Sequence, residues 1–301
     1  MIRSSCGMSM SSGALSRNGP WKSSSLRRTW NAGSPVSGLF RGAARAAEAG
    51  KEFSPAQEHY IGRGVAMEIL ARYKVHDDPA LTDYVNRVGL AIFYSCPDVL
   101  RTLKGYHFVV LEADEVNAVS APAGFVFLTL GAVKKAKSED ELAAVLAHEM
   151  AHVTLRHGIK SIKAATRQKA VALLVQGAGQ TGAAVAGASG KQDTAVLAQK
   201  LSTFTDSLQD ITGQLLVKGY SRDTELEADK LAQKFLAESK YSRKALVSFL
   251  QRLESGGKGG WFGTHPKPED RIEAIGAITE TPAVMAAADV RAKRFRSEVR
   301  A

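Results

Sequence analysis

The segment running from Ser138-Glu139-Asp140-Glu141 to His148-Glu149-Met150-Ala151-His152 decides how this chain is read. Its first four residues form S-x-x-E, a capping box in which Ser138 caps a helix and Glu141 reaches back to the Ser138 amide. A capped, amphipathic helix from Glu139 to about His157 follows. Helical spacing of four puts His148 and His152 on one face, one turn apart, where two imidazoles can bind one zinc ion. Glu149, beside the first of them, points toward the open coordination position and can there take a proton from water. Chance places H-E-x-x-H only about 0.01 times in a chain of this His and Glu content, so two solvated histidines are a poor account of it.

A catalytic zinc site needs a third protein ligand. The pattern H-E-x-x-H-x-x-G-x-x-H is not met, because residue 155 is Leu and residue 158 is Gly. His157 lies about 140° round the helix from His152 and reads as an exposed helix-end residue. A Glu on a later helix is the alternative. Glu225-Leu226-Glu227-Ala228-Asp229 offers E-x-x-x-D, with Glu225 as ligand and Asp229 accepting the second N–H of a ligand histidine. Chance yields about 0.7 such patterns here, so its weight comes from the H-E-x-x-H before it. Glu227 competes for the role from a different face of the helix.

Outward from this core, Ser54-Pro55 starts an amphipathic helix ending near Lys74, and Asp78-Pro79 starts a second that stops before Pro97. Tyr106–Leu111, Val116–Ser120 and Phe125–Leu130 are β-rich and read as a strand followed by a hairpin-like pair. After the H-E-x-x-H helix, residues 176–192 read as a loop or weak helix. Helical stretches follow over about 201–216, 222–238, 243–254 and 267–278, with a glycine loop at 256–260. The fold class is α+β: mainly helical, with a small mixed sheet beside the H-E-x-x-H helix.

HEMAH followed by SRDTELEAD (Ser221–Asp229) resembles the HtpX-type and CAAX-prenyl-type zinc metallopeptidases, a gluzincin family. Asn117–Val126 resembles the segment that precedes that family's zinc helix, and Thr264-His265-Pro266 with Asp270-Arg271-Ile272 resembles a late one. The likeness covers roughly residues 55–278 and is to the stand-alone soluble bacterial members. It implies a zincin-like domain with one zinc ion on His148, His152 and Glu225, Glu149 as general base, and Asp229 behind a ligand. It also implies His265 near the metal as transition-state stabiliser or auxiliary ligand; a helix-capping role is the alternative. The segment holding Asn117, Ala118, Val119 and Gly124 would offer a strand edge to an extended peptide. Ala123 stands where the family usually has Gly, which bears on the turn rather than the metal.

Composition narrows the rest. The 301 residues hold 40 Lys+Arg and 30 Asp+Glu, a formal net charge of +10. Seven basic residues and one acid lie in 1–50, and five basic residues and two acids in 289–301, which leaves the body near +1. No nucleic-acid partner is expected from a nearly neutral body without a stacking-aromatic motif. Two cysteines, Cys6 and Cys96, allow no disulfide framework. No apolar run is long enough for a transmembrane helix. Residues 1–50, with eleven serines and no acid before Glu48, read as a disordered basic tail; a mitochondrial transit peptide is the alternative. The domain reading is thus a tail over 1–50, a metallopeptidase domain over 51–281 and a basic helix or tail over 282–301. The last is read as a solvated face, with peripheral contact to an anionic membrane as its alternative.

The expected activity is zinc-dependent hydrolysis of peptide bonds in unfolded or extended proteins. The rival is a latent, zinc-retaining, chaperone-like binder whose cleft is covered by loops such as 176–192. The resemblance points to a bacterial envelope protein, with a mitochondrial one as alternative.

Overall fold

The computed structural model describes residues 52–178, 206, 209, 212–213, 219–254, 265 and 268–299. The readings of residues 1–50, of 179–192, of most of 201–216 and of the 256–260 loop lie outside them. Helix α1 (Pro55–Arg72) opens with a complete capping box: Ser54 Oγ accepts the Gln57 amide at 3.2 Å and Gln57 Oε1 accepts the Ser54 amide at 2.8 Å. Helix α2 (Pro79–Ser95) is capped by Asp78, whose Oδ1 accepts the Leu81 amide at 3.0 Å. Both place Pro at the first helical position, where no amide is needed.

Strands β1 (His107–Leu111), β2 (Ala118–Ala121) and β3 (Phe125–Thr129) form one sheet in the order β1-β3-β2. β1 runs parallel and β2 antiparallel to β3, with Phe108 opposite Val126 and Ala118 opposite Leu128. This is the expected mixed sheet, and β2 with β3 is the hairpin-like pair. Every residue of β2 and β3 is buried, because helices cover the sheet. A Cβ on Gly62 of α1 would lie 1.9 Å from the Pro122 carbonyl oxygen, so only glycine lets that helix approach the β2–β3 turn. Thr129 then caps the short helix α3 (Leu130–Lys135), where the sequence suggested only the end of a strand.

The turn Pro122–Gly124 holds the residue that departs from the family pattern. Ala123 sits at φ 62° and ψ 27°, in the left-handed region that costs an L-residue about 1–2 kcal/mol. Glycine pays no such cost but loses more freedom on folding. Ala123→Gly is therefore expected to raise stability by up to about 1 kcal/mol. The measurement is the urea midpoint; a fall in that midpoint would contradict the strain.

Helix α4 (Glu139–Thr154) carries the H-E-x-x-H motif and is the axis of the domain. The amphipathic expectation is corrected: residues 139–153 are buried on every side, and Ala143, Ala144, Ala147 and Ala151 are the small side chains that let neighbours close in. Helices α2, α6 (Arg222–Glu238) and α7 (Lys244–Glu254) pack around it. Ser138 Oγ accepts the Glu141 amide at 3.3 Å as read, but the Glu141 carboxylate takes the Lys137 amide at 2.8 Å rather than that of Ser138. The helix also ends earlier than expected, at Thr154. Arg156, at φ 56°, turns the chain, and α5 (His157–Ala178) begins anew.

The three acids that open α4 are each held by arginine. Glu139 accepts from the hydroxyls of Tyr84 and Tyr241 at 3.0 and 3.1 Å and pairs with Arg294. Asp140 accepts from Arg291 Nε at 2.9 Å, and Glu141 pairs with Arg252. Arg291 and Arg294 lie on α9 (Pro282–Glu298), so the run read as a solvated face docks through these two side chains on the positive end of α4. Arg291 also donates to the Val284 carbonyl at 2.9 Å. Arg291→Met is expected to cost about 2–3 kcal/mol, since hydrogen bonds to a buried charge are lost and Asp140 is left without its counterion. Chemical denaturation measures it. No helix among the described residues is long and apolar enough to cross a membrane.

Candidate metal centre

Two helices and one loop supply the site. Helix α4 presents His148 and His152 on adjacent turns, and α6, capped by Ser221 at the Thr224 amide, presents Glu225 and Asp229 one turn apart. His265 enters from the segment before helix α8 (Pro268–Ile275). His148, His152, Glu225 and His265 each offer a ligand atom, and these atoms lie within 4.8 Å of one another. All four residues are buried, Glu225 completely.

The two Nε2 atoms of His148 and His152 approach to 3.1 Å. Glu225 Oε2 lies 3.2 Å from His148 Nε2, and Oε1 lies 3.3 Å from His152 Nε2 without making a hydrogen bond. Donor atoms 2.0–2.1 Å from one tetrahedral ion stand about 3.3–3.4 Å apart, so the set fits a single metal. Its chemistry fits as well. Burial pushes the Glu225 carboxyl up, but the histidines around it, His265 first and then His152 and His148, outweigh that and hold it well below the ordinary carboxylate range. Two imidazoles and one ionised carboxylate are a donor set for a divalent transition metal.

Glu149 lies against this cluster with its Oε1 buried, without a hydrogen bond, and 3.9 Å from His265 Nε2. His265 Nδ1 is 2.7 Å from Glu225 Oε2, which places its ring inside the cluster. Asp229 Oδ1 is 2.9 Å from His148 Nδ1, behind the ring, while Glu227, which competes with Glu225 in the sequence, is 54% exposed and points to His157.

Three residues to which the sequence reading gave no place in the site join it. Arg271 of α8, wholly buried, donates from Nε and Nη2 to the two Asp229 oxygens at 2.7 and 2.6 Å. Against the burial that raises it, this cation drives the Asp229 carboxyl far below its usual range. The Tyr220 ring stacks on His152 at 4.4 Å and 15°, and burial raises its hydroxyl. His157, expected to be exposed, is buried with its Nδ1 2.9 Å from His152 Nδ1. The 140° extrapolation fails because the helix breaks at Leu155–Arg156. Burial beside His152 lowers the His157 imidazole to about 4. A residue-type signal existed only for Arg271, within the Asp270-Arg271-Ile272 segment.

Asn117 precedes β2 and is bonded to Thr129, its amide donating to Oγ1 at 2.9 Å. Ala118 and Val119 lie on β2, an edge strand of the sheet, next to α4. Gly124, at φ 94°, faces the other way: a Cβ there would meet the Gly105 carbonyl oxygen at 2.6 Å.

The signature of Peptidase family M48 matches residues 80–279, a span that includes both histidines, Glu225 and His265. A putative beta-barrel assembly-enhancing protease of Vibrio cholerae is 31% identical over 229 residues, covering 74% of this chain and 44% of that protein. The beta-barrel assembly-enhancing protease of Escherichia coli K12 is 27% identical over the same shares, and the mitochondrial metalloendopeptidase OMA1 of Schizosaccharomyces pombe is 35% identical over 171 residues, 55% of this chain. The chain spans less than half the length of these three relatives. With the match covering about two thirds of its residues and the buried donor set inside it, this chain belongs to peptidase family M48.

Proposed function

We propose that the chain is a zinc metalloendopeptidase of the HtpX-like type, with His148, His152 and Glu225 as zinc ligands, acting on peptide bonds in unfolded or extended protein segments. The observation that carries this is the approach of both Nε2 atoms and both Glu225 oxygens to 3.1–3.3 Å, with Glu149 beside them. When bound, zinc supplies Lewis acidity toward a scissile carbonyl. Glu149 is the general base: its Oε1 has no competing hydrogen bond, so it accepts the proton of the attacking water and passes it to the leaving amine. His265 directs its Nε2 to the side where Glu149 works and steadies the developing oxyanion. Asp229, with Arg271 behind it, holds His148 through Nδ1. The β2 edge around Asn117, Ala118 and Val119 adds an extended substrate to the sheet, with Gly124 shaping the turn behind it.

The relatives' names support substrates that assemble as β-barrels, whose unassembled chains expose the extended segments such an edge pairs with. They likewise support a bacterial envelope location, with a mitochondrial one as the alternative. The peptidase unit is residues 51–281. Metal analysis of the purified chain tests the reading: one zinc per chain is expected, lost in Glu225→Ala, together with chelator-sensitive cleavage of unfolded casein. A well-folded chain that takes up no zinc would overturn it. The near-complete burial of all four donors favours a second reading, a latent binder that retains zinc and cleaves little. Stoichiometric zinc with no casein cleavage would select it.

A further inference from the structure

We propose that His157, set by Glu227, is a positioning residue of the metal centre: it accepts the Nδ1–H of His152 and so fixes that ring with its Nε2 lone pair facing the other donors. The inference rests on the reading of His148, His152 and Glu225 as metal ligands. His157 Nδ1 and His152 Nδ1 are 2.9 Å apart, with the rings at 72°. Two imidazole nitrogens at that distance share one proton, so one donates and the other accepts. His152 Nε2 already stands in the donor cluster, 3.1 Å from His148 Nε2 and 3.3 Å from Glu225 Oε1. For it to present a lone pair there, the His152 proton must sit on Nδ1, and His157 Nδ1 must be the acceptor. The proton of His157 then sits on its Nε2, which is 3.3 Å from Glu227 Oε2. A carboxylate can only accept, so Glu227 selects the His157 tautomer, and His157 selects that of His152.

The arrangement has a counterpart on the other ligand. His148 is held at Nδ1 by Asp229, a carboxylate in direct contact, whereas His152 is held through an intervening imidazole. The break at Leu155–Arg156, with Arg156 at φ 56°, brings His157 back under His152 instead of continuing round the helix. Tyr220 stacked at 15° closes one face of the same ring, so His152 is fixed on its edge by His157 and on its face by Tyr220. The Glu227 side chain is 54% exposed, so it can be changed without opening the core.

Zinc affinity, measured on the full chain by competition with a chromogenic chelator, separates this role from plain packing. Wild type comes first: if it takes up no zinc, the metal-site reading itself fails, whatever His157 does. Given stoichiometric zinc in wild type, His157→Ala is expected to weaken binding about 10–100-fold, the usual effect of removing a ligand's outer partner. His157→Asn, whose Oδ1 can accept from His152 Nδ1–H, should recover most of that loss. Glu227→Lys replaces the acceptor by a donor and should weaken zinc about tenfold or more, while Glu227→Gln, still able to accept through Oε1, should stay near wild type. A structural role alone would lower the melting temperature of the metal-free variants and leave their affinity within about threefold of wild type. That result, or His157→Asn binding no better than His157→Ala, would overturn the proposal; should His157→Ala not fold, the Glu227 pair decides on the same terms.

Discussion

Glu149→Gln is expected to lower the cleavage rate of unfolded casein by about 10²–10⁴-fold while leaving the zinc content of the chain unchanged. The two side chains have the same shape, so the packing of α4 around position 149 is kept. What changes is the capacity to take a proton: an amide cannot accept and release one at neutral pH, and its NH2 group donates where the carboxylate accepted. The environment makes this an unusually clean substitution. Glu149 is 1% exposed, and its Oε1 makes no hydrogen bond that the amide would break. A buried, incompletely paired carboxylate is itself a burden on folding, so the variant's stability should be equal to or slightly above that of wild type. Loss of rate with stability and metal retained marks a group that acts in the reaction. Full proteolysis by Glu149→Gln would remove Glu149 from the mechanism, and loss of fold would recast it as a structural residue.

What the sequence disclosed and what it hid follow from the range of the interactions involved. The cap at Ser138 and the spacing of His148 and His152 are local, and local rules read them directly. Glu225 was separable from Glu227 only through helical phase; α6 buries the first completely and exposes the second. Composition assigned the C-terminal arginines to solvent, because nothing in a charge count pairs Arg291 with Asp140 or Arg294 with Glu139 across some 150 residues of chain. His157 was misplaced by a single left-handed residue, Arg156, which reset the helix. The sheet was legible as three β-rich runs, yet its order was not, since the β1–β3 pairing is parallel and spans the β2 strand between them.

Arg271→Met is expected to be the most destabilising substitution in the site, at about 3–5 kcal/mol for the metal-free chain, the cost of breaking a buried ion pair from one side. Arg271 is wholly buried, bonds both Asp229 oxygens, and stands 3.4 Å from Glu225 Oε2. Methionine fills much of the same volume, so the loss reports charge rather than a cavity. Without the guanidinium, Asp229 and Glu225 lose a cation that contacts both of them. A domain of this kind has about 5–15 kcal/mol in total, so the variant should be marginal. Lysine restores the charge but cannot span both Asp229 oxygens, so Arg271→Lys should recover only part of the stability. The pH dependence follows from Asp229. In wild type its folded value is depressed, first against burial and by Arg271, so its stabilisation is present above the unfolded carboxylate range near 4 and is lost only as pH falls through the lower folded value. Removing Arg271 removes the larger part of that depression and leaves burial to raise the carboxyl against His148 alone. The gap between variant and wild type should therefore be widest at neutral pH and narrow as the solution is made acidic, because Asp229 in the variant can then fold protonated. Urea unfolding of both chains in the presence of chelator, at pH 7 and near pH 4.5, measures the two gaps. Equal gaps at both pH values would show that Arg271 holds α8 against α6 by packing alone.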